Sequence, residues 1–191
     1  MGKGRLEAFS DGVLAIIITI MVLEMKVPHK ADLSELRPLI PIFLSYVLSY
    51  VYIGIYWNNH HHLFQAVHSV KGSVLWANLH LLFWLSLFPF MTGWMGENAF
   101  AAIPVAVYGV VLMFAAIAYF ILTRVLIASH GKDSTLGTAI REDFKGKISV
   151  ILYAVAIPLA FVNAWVACLI YTVIAIFWLI PDRRIEKTLI Q

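Results

Sequence analysis

Long apolar runs alternate with short polar intervals along the whole chain. The first run, Leu6 to Val27, stops at Pro28, and a mixed-charge stretch from His29 to Arg37 follows it. A second run ends in the histidines His60, His61 and His62, a third closes on Gly93, Gly96, Glu97 and Asn98, and a fourth is almost unbroken up to His130. After the charged interval from His130 to Lys147, two more runs are separated by a tight turn at Asn163, and Pro181 opens the tail. A bilayer core is crossed by about 20 apolar residues in helical form, because backbone groups without water must satisfy one another within the segment. The pattern predicts an all-α integral membrane protein with six transmembrane helices at about 6–27, 39–62, 74–94, 101–128, 145–162 and 164–181. Residues 1–191 read as one transmembrane domain, without an evident internal repeat.

Composition agrees with the pattern. With 61% hydrophobic and 13% charged residues, the chain has too little polar surface for a water-soluble globule. The N-terminal run carries Glu24 and Lys26 at its end, with no small-residue cleavage pattern behind it, so it reads as a retained helix. The single cysteine, Cys168, leaves nothing for an intrachain disulfide or a thiolate metal site. The excess of basic residues is not a nucleic-acid signal here, since they sit between apolar runs and report orientation. With the N-terminus inside, the inner segments hold Lys3, Arg5, Lys71, Arg124, Lys132, Arg141, Lys145, Lys147, Arg183, Arg184 and Lys187; the outer ones hold only Lys26, Lys30 and Arg37. Lysine and arginine concentrate on the cytoplasmic side, so both termini are expected there.

The start of the first helix is polar where it ought to be apolar: Arg5, Phe9, Ser10 and Asp11 stand together. An ionisable group at that depth is costly and faces a bundle interior or a watery path. Arg5 and Asp11 are six residues apart, outside the spacings of three and four that join side chains on a helix. Each is expected to find its partner on another helix, among His60 and His61 of the second and Trp76 and Asn78 of the third. Such a cluster also reads as a packing device alone, and the two roles overlap, because whatever holds the first helix shapes what it lines. Further along, Gly12, Ile16, Ile20 and Leu23 recur at helical spacing with Thr19 beside Ile20. If several copies meet around an axis, these branched side chains become apolar rings, which gate by expelling water.

The string Arg5-x-x-x-Phe9-Ser10-Asp11, followed by Gly12 to Leu23, resembles the signature of the transmembrane protein 175 family of endosomal and lysosomal potassium channels. Trp57, Asn59, His60 and His61 resemble its second helix, and Leu75-Trp76-Ala77-Asn78 with Pro89-Phe90-x-Thr92 its third. The likeness rests on specific residues in the first half of the chain and on hydropathy in the second. It implies a six-helix subunit, a homotetramer in bacterial members, and a first helix that lines the pore. It further implies that Ile16 forms the narrowest ring, that Ile20 and Leu23 form further rings, and that Thr19 is a pore threonine. The Thr-Val-Gly-Tyr-Gly carbonyl filter is missing from the sequence. Partners implied are the chain itself, the lipid bilayer, and potassium with other monovalent cations; no cofactor is expected.

Other chemistry reads more weakly. Three adjacent histidines invite a metal site, but neighbours on a helix point about 100° apart and do not converge on one ion. A haem pairing His80 with one of them is a related reading. Ser10, Asp11 and a histidine lack a nucleophile elbow, so no enzyme is expected. The alternative function is a proton-coupled secondary transporter using Asp11 and a histidine, although Pro89 and Pro158 are single breaks and not a paired, inverted motif.

Overall fold

In the computed structural model, which describes residues 2–67, 69–131 and 144–179, the described chain is helical. Helix α1 spans Lys3–Leu23, and a 3₁₀ segment over Leu33–Leu39 leads into α2, Ile40–Gln65. Then come α3 (Gly72–Ser86), α4 (Phe88–Glu97), α5 (Ala102–His130), α6 (Phe144–Leu159) and α7 (Ala164–Leu179). The segments 3–23, 33–65, 72–97 and 102–130 are each long and apolar enough to cross a bilayer. The shorter helices α6 and α7, of which α7 is the more apolar, follow these four, and a six-helix subunit fits the described residues. Lys132, Arg141, Arg183, Arg184, Lys187, His68 and the last residues of the sixth span, 180–181, lie outside the described residues.

The third span is two helices. Pro89 has no N–H to donate to the carbonyl four residues back, and its ring crowds that carbonyl, so α3 stops at Ser86 and α4 restarts at Phe88 with Pro89 in its first turn. The turn from α4 to α5 is tight enough to hold Ala99 and Phe100 at positive φ, 47° and 60°. Phe100 is secured there by its N–H to the Met95 carbonyl (3.0 Å) and by its ring against Trp165, 5.1 Å away.

Helix α5 is the spine, packed on α3, α4, α6 and α7, while α1 leans on α2, α3 and α4 at the edge of the bundle. Hydroxyls and small residues hold the interior, as polar contacts do where lipid offers no hydrophobic contrast. Tyr153 donates to the Tyr52 hydroxyl (3.1 Å), Tyr52 to the Tyr171 carbonyl (2.7 Å), and Tyr171 to the Val105 carbonyl (3.2 Å), joining α2, α5, α6 and α7. Gly109 makes room for the Tyr171 hydroxyl, which a side chain at 109 would overlap. Nearer α1, Thr92 Oγ1 lies 2.6 Å from both the Ser49 Oγ and the Phe88 carbonyl, and Ser49 lies 3.0 Å from the Tyr108 hydroxyl. That chain ties α2, α4 and α5 together beside the buried Met21 of α1.

Candidate functional site: the two faces of the first helix

Helix α1 divides lengthwise. Leu6, Ser10, Leu14, Ile17 and Met21, at spacings of four, four, three and four, are buried against the rest of the protomer. The opposite side is largely open: Ile16 is 59% exposed, Ile20 40% and Leu23 79%. Thr19, Gly12, Asp11, Phe9 and Arg5 are exposed as well. Ile20 is the least open of the three apolar residues because it borders a cleft shared with Pro89, Phe90 and Gly93 of α4. The Thr19 hydroxyl donates to the Ile16 carbonyl at 2.9 Å, which spends its proton within the helix and leaves its oxygen lone pairs facing away.

The buried face is pinned near the motif by a relay across three helices. His60 Nε2 lies 2.8 Å from Asn78 Oδ1, Asn78 Nδ2 donates to Ser10 Oγ at 2.9 Å, and Ser10 Oγ donates to the Leu6 carbonyl at 2.9 Å. Because the Asn78 oxygen is an acceptor only, His60 carries its proton on Nε2. All three side chains are buried, and His60 also packs on Phe64, ring centroids 4.5 Å apart. The relay thus gives His60 Nε2, the Asn78 amide and the Ser10 hydroxyl each a direct partner within the bundle, which offsets the cost of burying them.

A second fastening sits on the flank of α1. Trp57 Nε1 donates to Asp11 Oδ1 at 3.1 Å, and the Trp57 ring stacks on His61 at 6.1 Å. His61 in turn lies 2.8 Å from Gln65. Asp11 thus finds its partner on α2 in an indole and not in a histidine. At the helix start, Lys3 Nζ donates to the Phe64 carbonyl at 3.0 Å.

The residues singled out by sequence fall into three groups. Ser10, Asn78 and His60 are brought together; Asp11 and His61 meet through Trp57. Arg5, Phe9 and Trp76 stand apart on open surface, Trp76 at 76% exposure and Arg5 without an ion pair or hydrogen bond among the described residues. Trp57 was outside the site as read from sequence, yet its place four residues before His61 on one helix face was a usable signal. His80 accepts the Trp84 indole N–H at 3.1 Å, so it turns along its own helix. Among the described residues no three His, Cys, Asp or Glu side chains gather into a metal-binding group.

Known proteins resemble this chain in sequence and in fold. The family model described as endosomal/lysosomal potassium channel TMEM175 matches residues 5–89, which takes in α1, α2, α3 and the start of α4. The chain is 58% identical to a potassium channel of Chryseobacterium sp. strain P1-3, over 99% of this chain and 98% of that one. It is 32% identical to a potassium channel of Chamaesiphon minutus, over 92% of each. The crystal structure of a lysosomal potassium-selective channel TMEM175 homolog from Chamaesiphon minutus superposes with a TM-score of 0.80 at 29% identity, covering 94% of this chain and 97% of that one. The proton-coupled transporter alternative finds no favour in these similarities.

Proposed function

This chain belongs to the TMEM175 family of potassium channels, and from that premise we propose that four copies set their α1 helices around a common axis, with Ile16, Ile20 and Leu23 as the apolar constriction. It is a multi-pass membrane protein that conducts potassium. The observation that carries the proposal is the open face of α1. Edge helices of a membrane bundle meet either lipid or another subunit. A face flanked by Asp11, eight residues and so about 12 Å into the helix, is expensive to place in acyl chains. Turned toward a shared axis, the same face borders water at the motif end and closes to apolar rings beyond it.

Such rings act on the ion's hydration. Isoleucine and leucine offer no oxygen to replace lost water, so passage costs partial dehydration, and potassium yields its water more readily than the smaller sodium ion. Selectivity is moderate on this reading, because it rests on a difference in hydration cost and not on a matched cage of ligands. Thr19, with its proton engaged by the Ile16 carbonyl, presents an acceptor oxygen between the Ile16 and Leu23 levels and adds to the preference. The permeant ion is the ligand, and no cofactor or metal enters the scheme.

Ser10, through Asn78 and His60, and Asp11, through Trp57 and His61, then hold α1 in place, its first two to three turns being fixed to α2 and α3, while Arg5, Phe9 and Trp76 stay on the open surface and the free face moves against its neighbours. The balance of lysine and arginine supports cytoplasmic termini, and the bacterial relatives support the plasma membrane. Recording from purified protein in a planar bilayer, with potassium on one side and sodium on the other, tests the whole reading. Single-channel steps reversing toward the potassium equilibrium potential are expected; saturable flux without unitary steps, or reversal at zero, sinks it.

A further inference from the structure

Helix α1 has two flanks besides its buried and open faces. At about 100° per residue, Asp11 falls to one side of the buried row and Ile20 to the other. On the Asp11 side stands α2, through Trp57. On the Ile20 side stands α4, where Ile20, Glu24, Pro89, Phe90, Gly93 and Glu97 border an open cleft of about 460 Å³. Lipid is a poor occupant for this cleft, because an acyl chain in it would lie against two carboxylates. Glu97 has a loose contact with Lys26 at 3.4 Å, and Glu24 has no ion pair or side-chain hydrogen bond among the described residues.

The α2 flank carries what the cleft lacks. Phe43, Tyr50 and Trp57 recur every seven residues with Tyr46 beside them, so they share one stripe of the helix. Phe43, Tyr46 and Tyr50 form a ladder of rings with centroids 6.4 and 5.9 Å apart, and neither tyrosine hydroxyl has a partner among the described residues. Arg37, in the 3₁₀ segment just before α2, is exposed and its side chain is unpaired among them as well. Heights agree too. Lys3 meets Phe64 and Asp11 meets Trp57, so α1 and α2 run antiparallel and Glu24 stands level with Leu44, between Phe43 and Tyr46. Ser49 meets Thr92, which sets Tyr50 near the height of Phe90. Rotation about an axis normal to the bilayer preserves every height, so the ladder of one copy reaches the cleft of the next at its own level.

We propose that the α1–α4 cleft is filled by the α2 flank of the neighbouring copy, with the Tyr46 hydroxyl donating to Glu24 and the Arg37 guanidinium facing Glu97. The inference rests on the channel reading, in which the α1 helices share an axis, and adds which surfaces touch. The two patches differ, so the contact is heterologous, and its repetition about that axis closes a ring. Ile20 belongs both to the cleft and to the row that faces the axis. The flank of one copy therefore buttresses a constriction residue of the next.

In a full-length Cys168→Ser background, which removes the one cysteine of the sequence, Tyr50→Cys and Phe90→Cys chains are co-expressed, reconstituted in liposomes and treated with a short bifunctional thiosulfonate. A cross-linked dimer is expected from the mixture and from neither variant alone, a pattern that no link within one chain produces. No dimer from the mixture, or as much from one variant alone, overturns the interface. Arg37→Glu should lower the dimer yield about threefold, the scale of an exposed ion pair, and Glu97→Arg placed with it should bring the yield back. An unchanged yield in Arg37→Glu overturns the pairing of those charges. Potassium current from the Cys168→Ser chain in planar bilayers separates the two readings. Current without the cross-link removes the interface and leaves the channel, whereas a chain that is monomeric by light scattering and passes no current removes the channel reading as well.

Discussion

The Asn78 amide of α3 donates to the Ser10 hydroxyl of α1 across 2.9 Å, and its oxygen is 2.8 Å from the His60 imidazole of α2. One side chain of two atoms' reach thus joins three helices, and its amide works in both directions, which neither aspartate nor leucine does.

Loss of that amide should be felt well beyond one bond. Asn78→Leu strands the His60 N–H and removes a donor from Ser10, both buried, and a stranded group costs about 1–3 kcal/mol. Ser10→Ala strands only the Asn78 N–H and should therefore cost less, about 1 kcal/mol. Thermal unfolding of the purified protein, followed by size-exclusion chromatography, should rank the two variants in that order.

At the apolar face, Ile16→Asn should raise sodium permeability several-fold relative to potassium, because an amide oxygen supplies the ligand that isoleucine withholds. Thr19→Val should move the ratio in the same direction by less. Bi-ionic reversal potentials measure both. A parental ratio in Ile16→Asn would remove Ile16 from the filter.

Trp57→Phe keeps the ring against His61 but deletes the N–H that Asp11 accepts. A hydrogen bond to a charged acceptor is worth about 1.5–3 kcal/mol, less where the pair is open to water as here. The open-to-closed ratio in single-channel records should shift by about fivefold or more, with unit conductance unchanged, since Trp57 does not touch the open face of α1.

Gly96 stands where α4 crosses α2: a Cβ there would lie 2.6 Å from the Ile42 Cα and 2.6 Å from the Ser45 Oγ. Backbone cannot yield as a side chain does, so Gly96→Ala should cost about 1–3 kcal/mol. Gly54→Ala, with no atom within 4 Å of the added carbon, should be nearly neutral. Melting temperatures of the two variants in one detergent make the comparison.

The open face of α1 was only partly legible in advance. Gly12, Ile16, Ile20 and Leu23 marked a stripe, but Leu6, Leu14, Ile17 and Met21 mark another that is equally apolar, and periodicity alone does not say which is covered. In water the buried face of a helix is the greasy one; in lipid both are. The polar positions discriminate better. Ser10 lies on the buried side, and its spacing from Leu6, Leu14 and Ile17 places it there once a partner such as Asn78 is known.

What the sequence determined by itself is the number and placing of the apolar spans, the unusual polarity at Arg5 to Asp11, and the family likeness carried by those residues with Trp57, His60 and Asn78. These follow from local rules, because a bilayer demands long apolar segments and penalises each ionisable group separately. The tertiary structure alone decided that Asp11 is held by Trp57, that Asn78 links Ser10 to His60, and that the Leu6–Met21 stripe of α1 is the covered one. Each of these depends on which helix lies beside which and at what rotation, and in a chain apolar on nearly every face that is set by shape and hydrogen-bond geometry between distant segments.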